Sequence, residues 1–190
     1  MYGFEISLVL EEVTPLTERK LMIPSDISFK KLHEIISIVF NLNKNGTYKF
    51  ILDEISLEIF DTGSLNRDIV DSRYEKIDKY FQAFNEISYM NDFWEISIGI
   101  RQQDYDKEYP QIISFRGLYN PVPEISSTNE FSEFIEMKKT KDVDFKFEFK
   151  RVNKLRIQED LMILFKVTYE IADRKVIEVK TQETLDKVLD

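Results

Sequence analysis

The chain contains no cysteine, which excludes disulfides, thiolate metal sites and cysteine nucleophiles together. It has a single histidine, His33. A transition-metal centre would therefore be built almost wholly from carboxylates, a donor set that suits Mg²⁺ or Ca²⁺ rather than zinc. Glycine is scarce, and Gly46, Gly63, Gly99 and Gly117 stand isolated, so neither nucleotide-binding fingerprint is present. The Gly-x-Ser-x-Gly elbow that would expose a serine nucleophile is missing as well. No apolar run approaches the roughly 18 residues of a membrane span, and the opening residues do not follow the secretory pattern of a charged region before an apolar core. The expectation is a cytoplasmic protein with no membrane association, no cofactor and no dedicated metal site.

What the chain does have is a large apolar inventory. Fifteen Phe, nine Tyr and one Trp in 190 residues supply ample material for a core, and this argues against disorder. The formal net charge is −9, which repels a nucleic-acid backbone on average. The charge is uneven, however. Between Met137 and Arg156, eight Lys/Arg face three acids, and "FKFEFKR" interleaves aromatic with basic residues. Lys146, Lys150, Arg151, Lys154 and Arg156 are thus candidates for contact with single-stranded nucleic acid or an acidic partner. A strand with Phe turned inward and Lys outward explains the same pattern.

Hydrophobic periodicity gives the organisation. Phe4, Ile6, Leu8 and Leu10 alternate with polar residues, a turn follows at Pro15, and Leu21 to Ile23 pairs back as a hairpin. "SFKKLHEIISIVF" places Phe29, Leu32, Ile36, Val39 and Phe40 on one helical stripe with Ser28 as N-cap. "NLNKNGT" stops it. His33 lies at the edge of that stripe, where a bond to a backbone carbonyl or another helix is the expected use. "TYKFIL" and "ISLEIF" read as short strands. Tyr74, Ile77, Phe81 and Phe84 predict a second helix from about Ser72. Trp94, Ile96, Ile98 and Ile100 share one strand face, introduced by an Asn91-Asp92 turn.

"RQQDYDKEYP" reads as a polar loop before the apolar run "QIISF". Its acids Asp104, Asp106 and Glu108 lack the glycine and terminal glutamate of a calcium loop. Ser127 and Glu130 have capping-box spacing for a short helix through Phe131, Phe134 and Ile135. Alternation from Leu161 to Ile171, a turn, and a terminal helix with Thr181, Leu185, Val188 and Leu189 complete the chain. Strands mixed with non-alternating helices indicate an α+β domain with a mixed or antiparallel sheet and helices packed on it.

Several stretches resemble one family, the proteins similar to open reading frame three of the Ri plasmid, also described as insertion-element passenger proteins. "PLTERKLMIPSDISFKKLHEIISIVFNLNKNGTYKF" keeps Pro15, Arg19, Lys20, Pro24, Leu32, His33, Phe40 and Phe50 of the family pattern without a gap. Of the signature Tyr-Asp-x-Gly-Asp-x-Trp-x-His, "SYMNDFWEI" retains Asp92 and Trp94. "YPQIISFRGLYNPVPE" keeps Pro110, Gly117, Pro123 and Glu124, and "FEFKRVNKL" keeps Val152 and Asn153. The resemblance covers about residues 2–156, so the expected division is a family domain at 1–156 and a strand-hairpin-helix extension at 157–190.

The departures fall on polar positions. Gly46 and Ile96 stand where the family has His, Tyr89 where it has the first Asp, and Ile125 where an acid follows Glu124. What the resemblance implies is retained architecture with an altered polar site. Three readings stay open: a non-enzymatic interaction protein with a macromolecular partner; a small-ligand or metal-binding protein or degenerate enzyme using Asp92, Glu124, Trp94 and His33; and nucleic-acid binding through 137–156.

Overall fold

The computed structural model describes residues 2–14, 16–52, 58–60, 70–117, 127–129, 131 and 132, with Gln182 and Leu185. Alternation in the first residues builds the centre of the sheet. Strand β1 (Tyr2–Leu10) pairs antiparallel with β2 (Thr17–Pro24) and, on its other edge, with a later strand. Phe4, Ile6 and Leu8 are fully buried on the inner face.

Helix α1 (Phe29–Phe40) begins where Ser28 accepts a hydrogen bond from Lys31 N, and it ends at Asn41 in the left-handed conformation at φ 55°, the backbone state that stops a helix. Strands β3 (Tyr48–Ile51) and β4 (Glu58–Phe60) are antiparallel, and β5 (Val70–Asp71) runs parallel to β4. A short helix α2 (Asp78–Phe81) precedes the hairpin of β6 (Glu86–Asn91) and β7 (Trp94–Asp104), and β8 (Gln111–Arg116) pairs with β2. The described strands form one sheet in the order β5-β4-β3-β6-β7-β1-β2-β8. The mixed sheet with helix packed on it is the α+β architecture expected. Helix α1 covers the inner face: Phe29 meets Phe50 with ring centroids 5.0 Å apart, and Leu32, Ile36 and Val39 are fully buried in the same cluster as the strand residues.

Three expectations are corrected. The helix expected from Ser72 shrinks to the four residues of α2. Tyr74 is 78% exposed, and the chain at 71–75 is a turn closed by Asp71, whose carboxylate accepts from Arg73 N. Arg101–Asp104, read as loop, continues β7 because Tyr2–Glu5 pair with it. Asn91 is the last residue of β6 and fully buried, paired with Trp94, so the turn is Asp92-Phe93. Asp92 takes φ 52°, the positive φ that two-residue hairpin turns require at their first position.

Leu185 is helical and buried in the main cluster. Gln182 donates to Pro110 O at 2.7 Å and accepts from Ile112 N at 2.6 Å. The other residues of the expected extension lie outside the described ones. Among the described residues no helix is long and apolar enough to cross a membrane.

Candidate functional site

His33 projects from the middle of α1 onto β3 and β6, and its ring is fully buried. Its Nδ1 lies 2.8 Å from the Tyr89 hydroxyl and its Nε2 lies 3.0 Å from Lys44 O. A carbonyl only accepts, so Nε2 carries the proton and Nδ1 accepts from Tyr89. The imidazole also stacks flat on Tyr48, at 3.6 Å between centroids and 9° between planes. Tyr48 in turn bonds Ser72 at 2.7 Å. The expected use of His33 in backbone bonding holds, but at the centre of the core rather than its edge.

The network continues toward the surface. Asn91 Nδ2 donates to the Tyr89 oxygen at 3.0 Å and to Asn43 O at 3.3 Å. These two acceptors fix the orientation of the amide, because Asn43 O requires a donor. Asn91 Oδ1 is then turned toward Gly46 and has no hydrogen-bond partner. Beside it, Asp92 Oδ1 accepts from Thr47 N at 3.0 Å, and the Asp92 backbone N–H donates to Thr47 O at 2.7 Å. A methyl group added at Gly46 would overlap the Asp92 carboxylate and come within 2.6 Å of Asn91 Oδ1. Burial, with smaller electrostatic contributions from Tyr48 and Asp92, lifts the Tyr89 phenol far above its ordinary range, against the lowering bond from Asn91.

His33 and Asp92 are thus brought together through Tyr89 and Asn91. Gly46 and Tyr89, two positions where the chain departs from the polar pattern, touch this group, and Ile96 pairs with Tyr89 across the hairpin. Residues from His33 to Asp92, 59 positions apart in sequence, converge here. Trp94 does not line the site. It is 1% exposed and packs on Phe131 with centroids 5.6 Å apart. Glu124 lies outside the described residues, as do Lys146, Lys150, Arg151, Lys154 and Arg156.

Sequence reasoning missed Asn91, read as a turn letter, and Arg19, noted only as a match to the family pattern. Arg19 is fully buried. Its guanidinium donates to Val39 O at 3.1 Å, Glu18 O at 2.9 Å and Arg116 O at 2.5 Å, and lies 3.6 Å from the Phe115 ring centre. It ties the carboxyl end of α1 to β2 and β8, where a cation also complements the helix dipole.

The other residue of the turn, Phe93, faces away from the polar group. It is 76% exposed and borders a groove of 450 Å³ with Glu11, Glu12, Glu95 and Met90 on its walls. The far wall is the 127–129 segment, joined by a parallel bridge between Phe93 and Ser127. A second cleft, of 660 Å³, lies at the start of α1 and is lined by both charge signs. The helix end itself is closed there: Phe29 N and Lys30 N bond Glu75 O and Ser72 O, and Lys31 N bonds Ser28.

A helix laid over one face of a mixed sheet, with a polar knot at a hairpin end, defines an α+β protein. The sequence pattern of the Plasmid pRiA4b ORF-3-like proteins matches residues 2–155, and the chain belongs to that family. Its fold is similar to that of a protein of unknown function, MM3350 from Methanosarcina mazei Go1. The TM-score is 0.65 at 17% identity, covering 80% of this chain and 89% of that one. No curated protein matches the chain.

Proposed function

We propose that this protein is a non-catalytic binding module whose partner is a basic segment of another macromolecule, with an apolar residue among its Lys and Arg. The observation that carries this reading is Phe93: a large aromatic held in solvent at a tight hairpin tip, in a groove walled by Glu11, Glu12 and Glu95. An exposed aromatic beside charges of one sign supplies the apolar anchor and the electrostatic selection that recognition surfaces combine. The acidic net charge of the chain favours approach of a basic partner. Two residues that a catalytic reading would use have structural bonds: His33 through both ring nitrogens and Asp92 through Oδ1 at the Thr47 amide.

The test is fluorescence anisotropy with two labelled peptides, one alternating Lys with Leu and one alternating Glu with Leu. Binding is expected for the basic peptide alone, weakening as salt rises. It should fall about tenfold or more in Phe93→Ala, an anchor loss of about 1.4 kcal/mol or more. Equal binding of both peptides, or a Phe93→Ala protein that binds as tightly as the wild type, would refute the reading.

A further inference from the structure

We infer that Asn91 Oδ1 and the Asp92 carboxylate, side by side next to Gly46, form a site for a hard, oxygen-seeking cation of the calcium type. The inference is independent of the peptide groove, which lies on the other side of the turn.

Three observations converge on it. First, Asn91 is fully buried, and its Oδ1 has no hydrogen-bond partner. Its two amide hydrogens are committed to Asn43 O and the Tyr89 oxygen, so the side chain cannot rotate to hide the oxygen without breaking both bonds. Second, only Oδ1 of Asp92 is used, by Thr47 N. Oδ2 makes no hydrogen bond or ion pair among the described residues and faces Gly46 beside Asn91 Oδ1. Third, both oxygens close on Gly46 itself. A Cβ there would overlap Asp92 Oδ2 and lie 2.6 Å from Asn91 Oδ1, so the two acceptors sit side by side and any side chain at 46 would push them apart.

The chemistry of the pair selects the ligand. An amide oxygen and an ionised carboxylate only accept, and together they present one full negative charge and a fixed dipole. Calcium takes carboxylate and amide oxygens together with water and tolerates irregular geometry. Magnesium demands a near-ideal octahedron and gives up its water reluctantly. A buried oxygen such as Asn91 Oδ1 requires the ion to shed water on that side, which favours calcium. The partly exposed side of Asp92 leaves room for water to complete the shell. With a single carboxylate, the affinity belongs in the weak class, a Kd on the order of 10⁻⁴ to 10⁻³ M.

The experiment is a calcium chloride titration of the full chain followed by amide NMR, with calorimetry alongside. The expected result is saturable binding that moves the Asn91 side-chain amide and the Gly46 and Thr47 backbone resonances. Asp92→Asn keeps the acceptor for Thr47 N and should weaken binding by about tenfold or more through loss of the charge. Gly46→Ala, whose methyl would displace both oxygens, should do the same, and Glu86→Gln, at the exposed start of β6, should leave it unchanged. Retained Trp94 fluorescence shows that each variant is folded. Failure of the wild type to saturate, shifts confined to Glu11, Glu12 and Glu95, or unchanged affinity in Asp92→Asn would each overturn the assignment.

Discussion

The hydroxyl of Tyr89 and Nδ1 of His33 meet at 2.8 Å in a fully buried setting, and the same hydroxyl accepts from Asn91. One phenol oxygen therefore joins helix α1 to the β6–β7 hairpin. Tyr89→Phe removes it and leaves two buried polar groups short of a partner. The expected loss is about 1–3 kcal/mol, measured by urea unfolding. A variant as stable as the wild type would mean that the network contributes only shape.

The same residue makes a pH prediction. Burial first, and nearby groups less, raise the Tyr89 pKa above its unfolded value near 10. The folded state thus holds its proton where the unfolded chain releases it. The contribution is complete below about pH 10 and is lost above it, at roughly 1.4 kcal/mol per pH unit. Subtracting the Tyr89→Phe profile from the wild-type profile between pH 9 and about 11 isolates this slope. Parallel profiles would contradict it.

Arg19 predicts a different failure. Its guanidinium serves three backbone carbonyls and stacks on Phe115. Arg19→Met keeps much of the volume but strands those carbonyls, at a cost of about 1–3 kcal/mol or more. Arg19→Lys is expected to rescue little, because an ammonium cannot present a planar fork of donors or stack as guanidinium does. Thermal unfolding of the two variants checks the order, and a fully stable Lys variant would show that charge alone suffices.

Gln182 braces β8, the outer strand among the described ones, by pairing with Pro110 O and Ile112 N. Gln182→Ala should cost about 1 kcal/mol and speed hydrogen exchange at the Ile112 amide. Exchange left unchanged would indicate that the edge is protected by something other than this side chain.

The parts of this fold legible in sequence are those where burial repeats with a fixed period. Phe4 to Leu10 and Trp94 to Ile98 each present one face to the core, so period two is imprinted on them, and Ser28 and Asn41 mark α1 because cap geometry restricts residue type. The strand β5 has two residues, too few to carry a period. Tyr74 stands at helical spacing from Ile77 and Phe81 yet points into solvent, because the Asp71 turn, and not apolar spacing, sets the backbone there. Arg19 and Asn91 were illegible as core residues for one reason: burial of a polar side chain depends on acceptors supplied from Val39, Arg116, Asn43 and Tyr89, all distant in sequence. The polar knot itself was half legible. His33 and Asp92 were singled out, but Tyr89 and Gly46 registered only as departures, whereas in space they are its hub and its floor.

The hairpin tip sets the sharpest contrast between neighbouring residues. Trp94 fills the interior against Phe131 at the head of β7, so Trp94→Ala opens a large cavity at an expected cost of about 3–5 kcal/mol. Two positions earlier, Asp92→Asn retains both the acceptor for Thr47 N and a residue that tolerates the φ of 52°. Its expected cost is below about 1 kcal/mol. Asp92→Ala loses the acceptor and places an alanine in the left-handed region, so it should fall between the two, near 1–2 kcal/mol. Chemical denaturation of the three variants gives the order directly. If Asp92→Asn proved as damaging as Trp94→Ala, the carboxylate charge itself would be holding the hairpin to the β3 loop, and the turn geometry argued from φ and the Thr47 bond would be the lesser part of its role.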